Sequence, residues 1–195
     1  MEVLPNKPRL SSSSLRQQME TYAVDREKHP MVIIGIRGYY LNTLGKPGKN
    51  DRNIYDDAIF IDSPLVTASF NANTDPSAYR KGKGRSSGKG MASLKPGLWM
   101  VHKFGLHKNK YLAMVQRMGE VTVIRDGDPD YEDTGYFGIN IHKGGYNGTS
   151  SEGCQTIYPS QWESFINLAQ DQAKRFFGDQ WNKVAIPYVL IDNLR

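Results

Sequence analysis

Leu98-Trp-Met-Val-His-Lys103, Tyr111-Leu-Ala-Met-Val-Gln116, Val121-Thr-Val-Ile-Arg125 and Tyr136-Phe-Gly-Ile-Asn-Ile-His142 together decide the fold class. These four short segments, rich in β-branched and aromatic residues, follow one another closely and read as successive strands. Upstream, Met31-Val-Ile-Ile-Gly-Ile36, Ala58–Ile61 and Val66–Phe70 have the same texture, and Tyr188–Ile191 supplies a last strand. Asn42 to Asn53 is a polar, turn-rich loop.

Two segments read as helices. Leu15, Met19, Tyr22 and Ala23 share a face over Ser14 to Lys28, with Ser14 and Gln17 at capping-box spacing and His29-Pro30 as the stop. From Ser160 to Phe177, Trp162, Phe165, Ile166, Ala169, Ala173, Phe176 and Phe177 form one apolar stripe. Ser160 and Glu163 have capping-box spacing, and Gly178 ends the run. The expected fold is mostly β (α+β). An arm and helix occupy residues 1–30, and one β-sandwich or barrel domain with one packed helix spans 31–195.

A chain of 195 residues with 38% hydrophobic and 11% aromatic content can bury a sizeable core. Nineteen glycines and ten prolines suit many turns. The net charge of +5 suits nucleic acid, an anionic membrane surface or an anionic wall polymer, and does not choose among them. With one cysteine, an intramolecular disulfide and a Cys₂ or Cys₄ zinc site are excluded. The start, Met1 to Leu10, lacks the apolar core of a signal peptide, and no apolar run is long enough to span a bilayer. The expectation is a chain made in the cytoplasm, without membrane insertion.

Asn71 to Gly97 is the least regular stretch, and its 80–97 portion is a basic, glycine-rich loop. It is not a phosphate-binding loop. Gly84 and Gly88 enclose three residues and Gly82 and Gly88 five, where that pattern needs four. A solvated loop and a substrate-contacting flap both fit.

The chemistry concentrates in Gly138-Ile-Asn-Ile-His142-Lys-Gly-Gly-Tyr-Asn-Gly-Thr-Ser-Ser151-Glu-Gly153-Cys154-Gln-Thr-Ile157. Phe137, Ile139 and Ile141 alternate toward a strand end at His142, and Cys154 follows twelve positions later across a glycine-rich loop. A thiol becomes a strong nucleophile only as thiolate, and a nearby imidazole can take its proton. Gly153 permits a tight turn before the nucleophile, so the Gly153 and Cys154 amides are candidates for an oxyanion hole.

The pattern Ile-His-x-Gly, a short loop and Ser-x-Gly-Cys resembles the signature of L,D-transpeptidases (YkuD-like domains). The resemblance implies Cys154 as nucleophile, His142 as base, Ser151 in the hydroxyl position and Gly153 as the nucleophile's partner. Gly144, Tyr146 and Gln155, close to these residues, and Arg37, a polar residue near a strand end that suits a cleft or a turn, are the candidates for contact with substrate. Glu152 stands where the family has histidine, Gln155-Thr156 replaces an apolar-Arg or apolar-Asn pair, and the His-to-Cys loop is short. Such Ser-Glu-Gly-Cys variants resemble branches found among phage proteins and interbacterial effectors. The implied activity is acyl transfer on peptidoglycan stem peptides, without metal or organic cofactor. The implied place of action is the periplasmic wall, after delivery by lysis or secretion machinery. Water or an amine resolves the acyl-enzyme.

Other readings share these residues. His102, His107 and His142 could bind a metal, though no ligand spacing sits on one helix face; packing beside the cleft is the plainer role for the first two. Asp126-Gly-Asp-Pro-Asp130-Tyr-Glu-Asp133 fails the EF-hand pattern at Tyr131 and Phe137 and reads as an acidic turn. It could also receive a positively charged stem-peptide group. Tyr39, Tyr40, Asn71, Asn73 and Asp75 suit either a cleft or turns. Nucleic-acid binding rests on the charge and the basic loop, but the aromatics do not interleave with basic residues in a stacking module. A catalytically inactive wall or virion module is the third class.

Overall fold

The computed structural model describes residues 10–82 and 88–192. Its strands are β1 (Val32–Arg37), β2 (Asp57–Asp62), β3 (Thr67–Asn73), β4 (Ala92–Leu94), β5 (Gly97–His107), β6 (Tyr111–Gln116), β7 (Val121–Arg125), β8 (Tyr131–Gly135), β9 (Ile141–Lys143), β10 (Gln155–Ile157) and β11 (Ile186–Asp192). Two α-helices, α1 (Ser12–Glu20) and α2 (Trp162–Phe177), accompany them. A closed barrel runs β1-β11-β5-β6-β9-β10-β3-β2, and β4, β7 and β8 form a separate small sheet. The chain is thus mostly β with two helices, as expected from the sequence. The arm's residues 1–9 and residues 83–87 of the basic loop lie outside the described residues.

The barrel explains why β1 is apolar without alternation. Ile33 belongs to the main core with Ile59, Ile61 and Phe165, whereas Val32, Ile34 and Ile36 face a second core with Leu15 and Met19 of α1. Both faces are buried, so both must be apolar. Gly35 is required for a different reason: a β-carbon there would collide with the Tyr188 hydroxyl.

Helix α1 is shorter than the Ser14 to Lys28 expectation. Ser11, not Ser14, is the N-cap, its hydroxyl accepting from the Ser14 amide at 3.1 Å. The helix stops at Glu20, and Ala23 adopts φ 50°, a conformation that cannot continue it. Helix α2 begins after a short 3₁₀ turn at Pro159–Gln161, and no side chain caps it, so the Ser160–Glu163 box does not form. Gly178 closes it with φ 51°. The stretch read as a strand from Tyr136 to His142 contains a break at Gly138, φ 71°, leaving only its end in β9.

The acidic segment and the basic loop hold each other. Asp126 receives a two-pronged bond from Arg52 at 2.7 and 2.8 Å and the Arg80 amide at 2.8 Å. Asp128 pairs with Lys81, and Asp133 pairs with Lys89 and Arg125. Part of the acidic turn is strand β8, because it pairs with β7.

Phe165 anchors α2 to the barrel. It is fully buried, edge-on to Phe70 at 5.3 Å and tilted against Trp162 at 5.7 Å. Truncating such a ring removes both transfer energy and packing contacts, typically about 3–5 kcal/mol. Phe165→Ala should therefore lower the unfolding free energy by about that amount in a urea titration; a change under about 1 kcal/mol would mean that α2 does not depend on this contact.

Candidate active site

Strands β9 and β10 run parallel, with Gln155 opposite Ile141 and Thr156 opposite His142. The Gln155 amide donates to the Asn140 carbonyl at 2.8 Å. One step earlier, Gly153 turns away from the ladder. Its amide donates to the Ser151 hydroxyl at 2.9 Å, and its carbonyl accepts from the Gln155 side chain at 3.2 Å. The thiol of Cys154 fills the vacated rungs. Its sulfur accepts from the Asn140 amide at 3.4 Å and its S–H donates to the Gly138 carbonyl at 3.2 Å.

Ser151 works through the backbone. Its hydroxyl accepts from the Gly153 amide and donates to the Cys154 carbonyl at 2.7 Å, closing a tight turn around the nucleophile position. The Gly153 amide is thereby occupied, which corrects its assignment to an oxyanion hole. Gly153 is needed for space instead: a β-carbon there would lie 2.6 Å from the Ala92 carbonyl of β4. The Ala92 amide in turn donates to the Glu152 carbonyl at 2.9 Å. The small sheet therefore buttresses the Ser-Glu-Gly-Cys turn.

Asn140 joins the thiol to the histidines. Its Oδ1 accepts from the Gln116 amide at 2.9 Å, so its Nδ2 is the group that donates to His107 Nδ1 at 3.1 Å. That fixes the His107 proton on Nε2. The His107 ring stacks on His142, with centroids 4.2 Å apart and planes 24° from parallel. His142 Nδ1 donates to the Lys143 carbonyl at 2.7 Å, leaving Nε2 with its lone pair. No hydrogen bond joins His142 to Cys154; sulfur and imidazole meet through Asn140 and His107.

Burial dominates the electrostatics. It pushes the Cys154 thiol above its usual value; the Asn140 amide and Lys108 oppose that shift, and Glu152 adds to it. Burial, with the neighbouring His107, lowers His142 to about 4, and His107 is lowered in the same direction by burial and Lys108. The resting pair is therefore a neutral thiol and a neutral imidazole. Lys108 occupies the β5–β6 turn beside His107, where Lys108 and Asn109 take φ 50° and 57°, the geometry of a tight hairpin.

The residues expected at the substrate divide. Gln155 is buried and accepts from the Tyr188 hydroxyl at 2.9 Å. Arg37 is buried too, paired with Asp75 at 3.1 Å and donating to the Thr74 and Leu94 carbonyls. These two are internal struts, since each spends its polar atoms on the fold. Gly144 bonds the Ile157 carbonyl and has no room for a side chain against Tyr55. Tyr146 is 70% exposed. It lines an open cleft of about 470 Å³ formed mainly by the 145–150 loop; Cys154 does not line this cleft.

His102 is buried, its Nε2 donating to the Ile139 carbonyl at 2.8 Å. Among the described residues, no three His, Cys, Asp or Glu side chains are grouped to hold a metal ion. Neither Asn140 nor Lys108 stands out as a site residue in the sequence. Asn140 is a polar residue between Ile139 and Ile141 in an alternating strand, and that pattern marks its face but not its partners. Comparison with protein-family models, curated proteins and solved structures finds no match to this chain.

A neutral resting thiol has a measurable consequence. The alkylation rate of Cys154 by iodoacetamide should keep rising above pH 8.5, the ordinary range of a free thiol. Lys108→Gln should move that profile to higher pH, because a cation that favours the thiolate is removed. A reactivity plateau reached below pH 7 would show a thiolate already formed.

Proposed function

We propose that this chain is a cysteine acyl-transfer enzyme acting on peptidoglycan stem peptides, with Cys154 as nucleophile and His142 as base. The observation that carries the reading is the thiol held at the open end of the β9–β10 ladder and linked through Asn140 and His107 to an imidazole with a free Nε2. The likeness of His142, Ser151 and Gly153-Cys154 to the L,D-transpeptidase signature supplies the substrate class.

The chemistry follows from those atoms. The step requires substrate binding to bring the Cys154 S–H off the Gly138 carbonyl and within hydrogen-bond reach of His142 Nε2; the proton then passes to Nε2, and the sulfur lone pair forms a bond to the carbonyl carbon at the L-centre of the stem peptide. The carbonyl π-pair moves onto oxygen. With the Gly153 amide committed to Ser151, the Cys154 amide is the candidate donor to that oxyanion. Collapse restores the carbonyl and breaks the C–N bond, and the His142 imidazolium protonates the departing D-amino acid. An amine or water then attacks the thioester, losing its proton to His142 while sulfur leaves.

A half-buried thiol and a buried imidazole, both neutral, suit proton transfer during attack. A low imidazole pKa keeps the base unprotonated across neutral pH, and the stack with His107 holds the ring plane. Ion pairing of the basic loop's Lys81 and Lys89 with Asp128 and Asp133 leaves those two lysines less available to an anionic polymer.

Incubation with purified peptidoglycan and mass spectrometry of the muropeptides tests the proposal. Cys154→Ala should abolish product while the circular dichroism spectrum is kept. His142→Ala should lower kcat/KM by about 10²–10⁴-fold, the usual contribution of a general base. In the wild type, kcat/KM should fall only as pH drops toward about 4, when His142 takes a proton. Wild-type turnover by Cys154→Ala would end the proposal.

A further inference from the structure

The cleft formed by the 145–150 loop has a chemistry different from that of the thiol site. Its lining side chains are asparagine, serine and tyrosine, and none carries a charge. Its volume, about 470 Å³, lies in the range of small-ligand sites. Its hydroxyl and amide groups stand beside an equal share of apolar surface, which suits a ligand that offers hydroxyl or amide groups together with an apolar face.

Tyr146 gives the cleft an aromatic face. The ring stands edge-on to Tyr158 at 6.2 Å, and Tyr158 stands edge-on to Tyr55 at 5.1 Å. The Tyr55 hydroxyl donates to the Gly145 carbonyl at 2.7 Å, tying the column back to the loop that carries Tyr146. An exposed ring supported in this way is a platform, with an apolar face and a polar tip. Around it stand amide and hydroxyl groups. Asn53 Oδ1 accepts from the Thr149 amide at 3.0 Å, which leaves its Nδ2 as a donor. Asn147 and Ser150 complete the wall, and Ser150 holds φ 56°, a conformation that side-chain-bearing residues seldom adopt.

We propose that this cleft binds a neutral N-acetylated oligosaccharide, the apolar C–H face of one pyranose ring lying on Tyr146 and its acetamido and hydroxyl groups meeting Asn53, Asn147 and Ser150. The assignment rests on the wall-peptide reading for its biological source, since the glycan strand carries the stem peptides. Its structural link to the thiol is direct. Ser77, in the cleft wall, accepts from the Ser151 amide at 2.6 Å, and the Ser77 amide donates to the Ser151 carbonyl at 2.7 Å. The cleft wall is thus hydrogen-bonded, through Ser77, to the turn that presents Cys154.

Isothermal titration of the full chain with chitotetraose tests the inference, with cellotetraose as the hydroxyl-only comparison. Saturable binding of chitotetraose is expected, weakened roughly tenfold or more by Tyr146→Ala, about 1.4 kcal/mol or more. Cys154→Ala should bind as the wild type does. Absence of saturable binding, or equal binding by Tyr146→Ala, would overturn the site; equal affinity for cellotetraose would overturn its N-acetyl selectivity. Because the readout is binding, failure of the acyl-transfer reading appears separately, as chitotetraose binding without any muropeptide product.

Discussion

The bond from the Gln155 amide to the Asn140 carbonyl, 2.8 Å, sets the register of the parallel β9–β10 pair. Without that pair the barrel has a gap between β6 and β3. The same register puts Cys154 beside Asn140 and leaves the rung at Gly153 unmade. The Gln155 side chain secures it from inside the barrel, donating to the Gly153 carbonyl and accepting from Tyr188, itself packed over Gly35. A buried amide with both ends satisfied fixes one arrangement and penalises others, because a lost partner leaves a desolvated polar group. Fold closure and thiol placement are thus one constraint.

The electrostatic character of the site comes from burial. Burial at this end of the barrel desolvates the thiol and both imidazoles, and desolvation favours the neutral form of each. Hydrogen bonds then set the protons: the Lys143 carbonyl claims His142 Nδ1, and the Asn140 side chain claims the His107 Nδ1 lone pair. A site built this way is ordered by its own hydrogen bonds, with thiol and imidazoles neutral and no standing ion pair between them.

Charge elsewhere is largely spent on the fold. Arg52 closes on Asp126 at 2.7 Å, Arg125 on Asp133 at 3.1 Å, and Arg37 on Asp75 at 3.1 Å, each with a buried carboxylate or guanidinium. Removing one member of such a pair strands the other in low dielectric; the basic loop itself is joined to the acidic turn by the Arg80 amide on Asp126 and by Lys81 and Lys89 on Asp128 and Asp133. Each such pair sums to zero, so the net charge of +5 is carried by residues outside them.

Periodicity alone determined the mostly-β class, the apolar face of α2 and the stop at Gly178, because side-chain alternation and helical spacing are local. The grouping of His142, Ser151 and Cys154 as one motif came from the resemblance to a known signature, which is legible because the tight Ser-x-Gly-Cys turn is made within four residues. Strands β4, β8 and β10 were not legible: each is short, and each exists because a partner strand supplies its ladder. The N-cap of α1 was misplaced by three residues, as Ser11 to Ser14 are identical in type and only the chain's approach selects one. Arg37 and Gln155 look like binding residues in a sequence and become struts only when the barrel encloses them. The roles of Asn140, His107 and Lys108 were decided by tertiary structure, because a hydrogen bond or ring stack between residues more than thirty positions apart leaves no periodic trace.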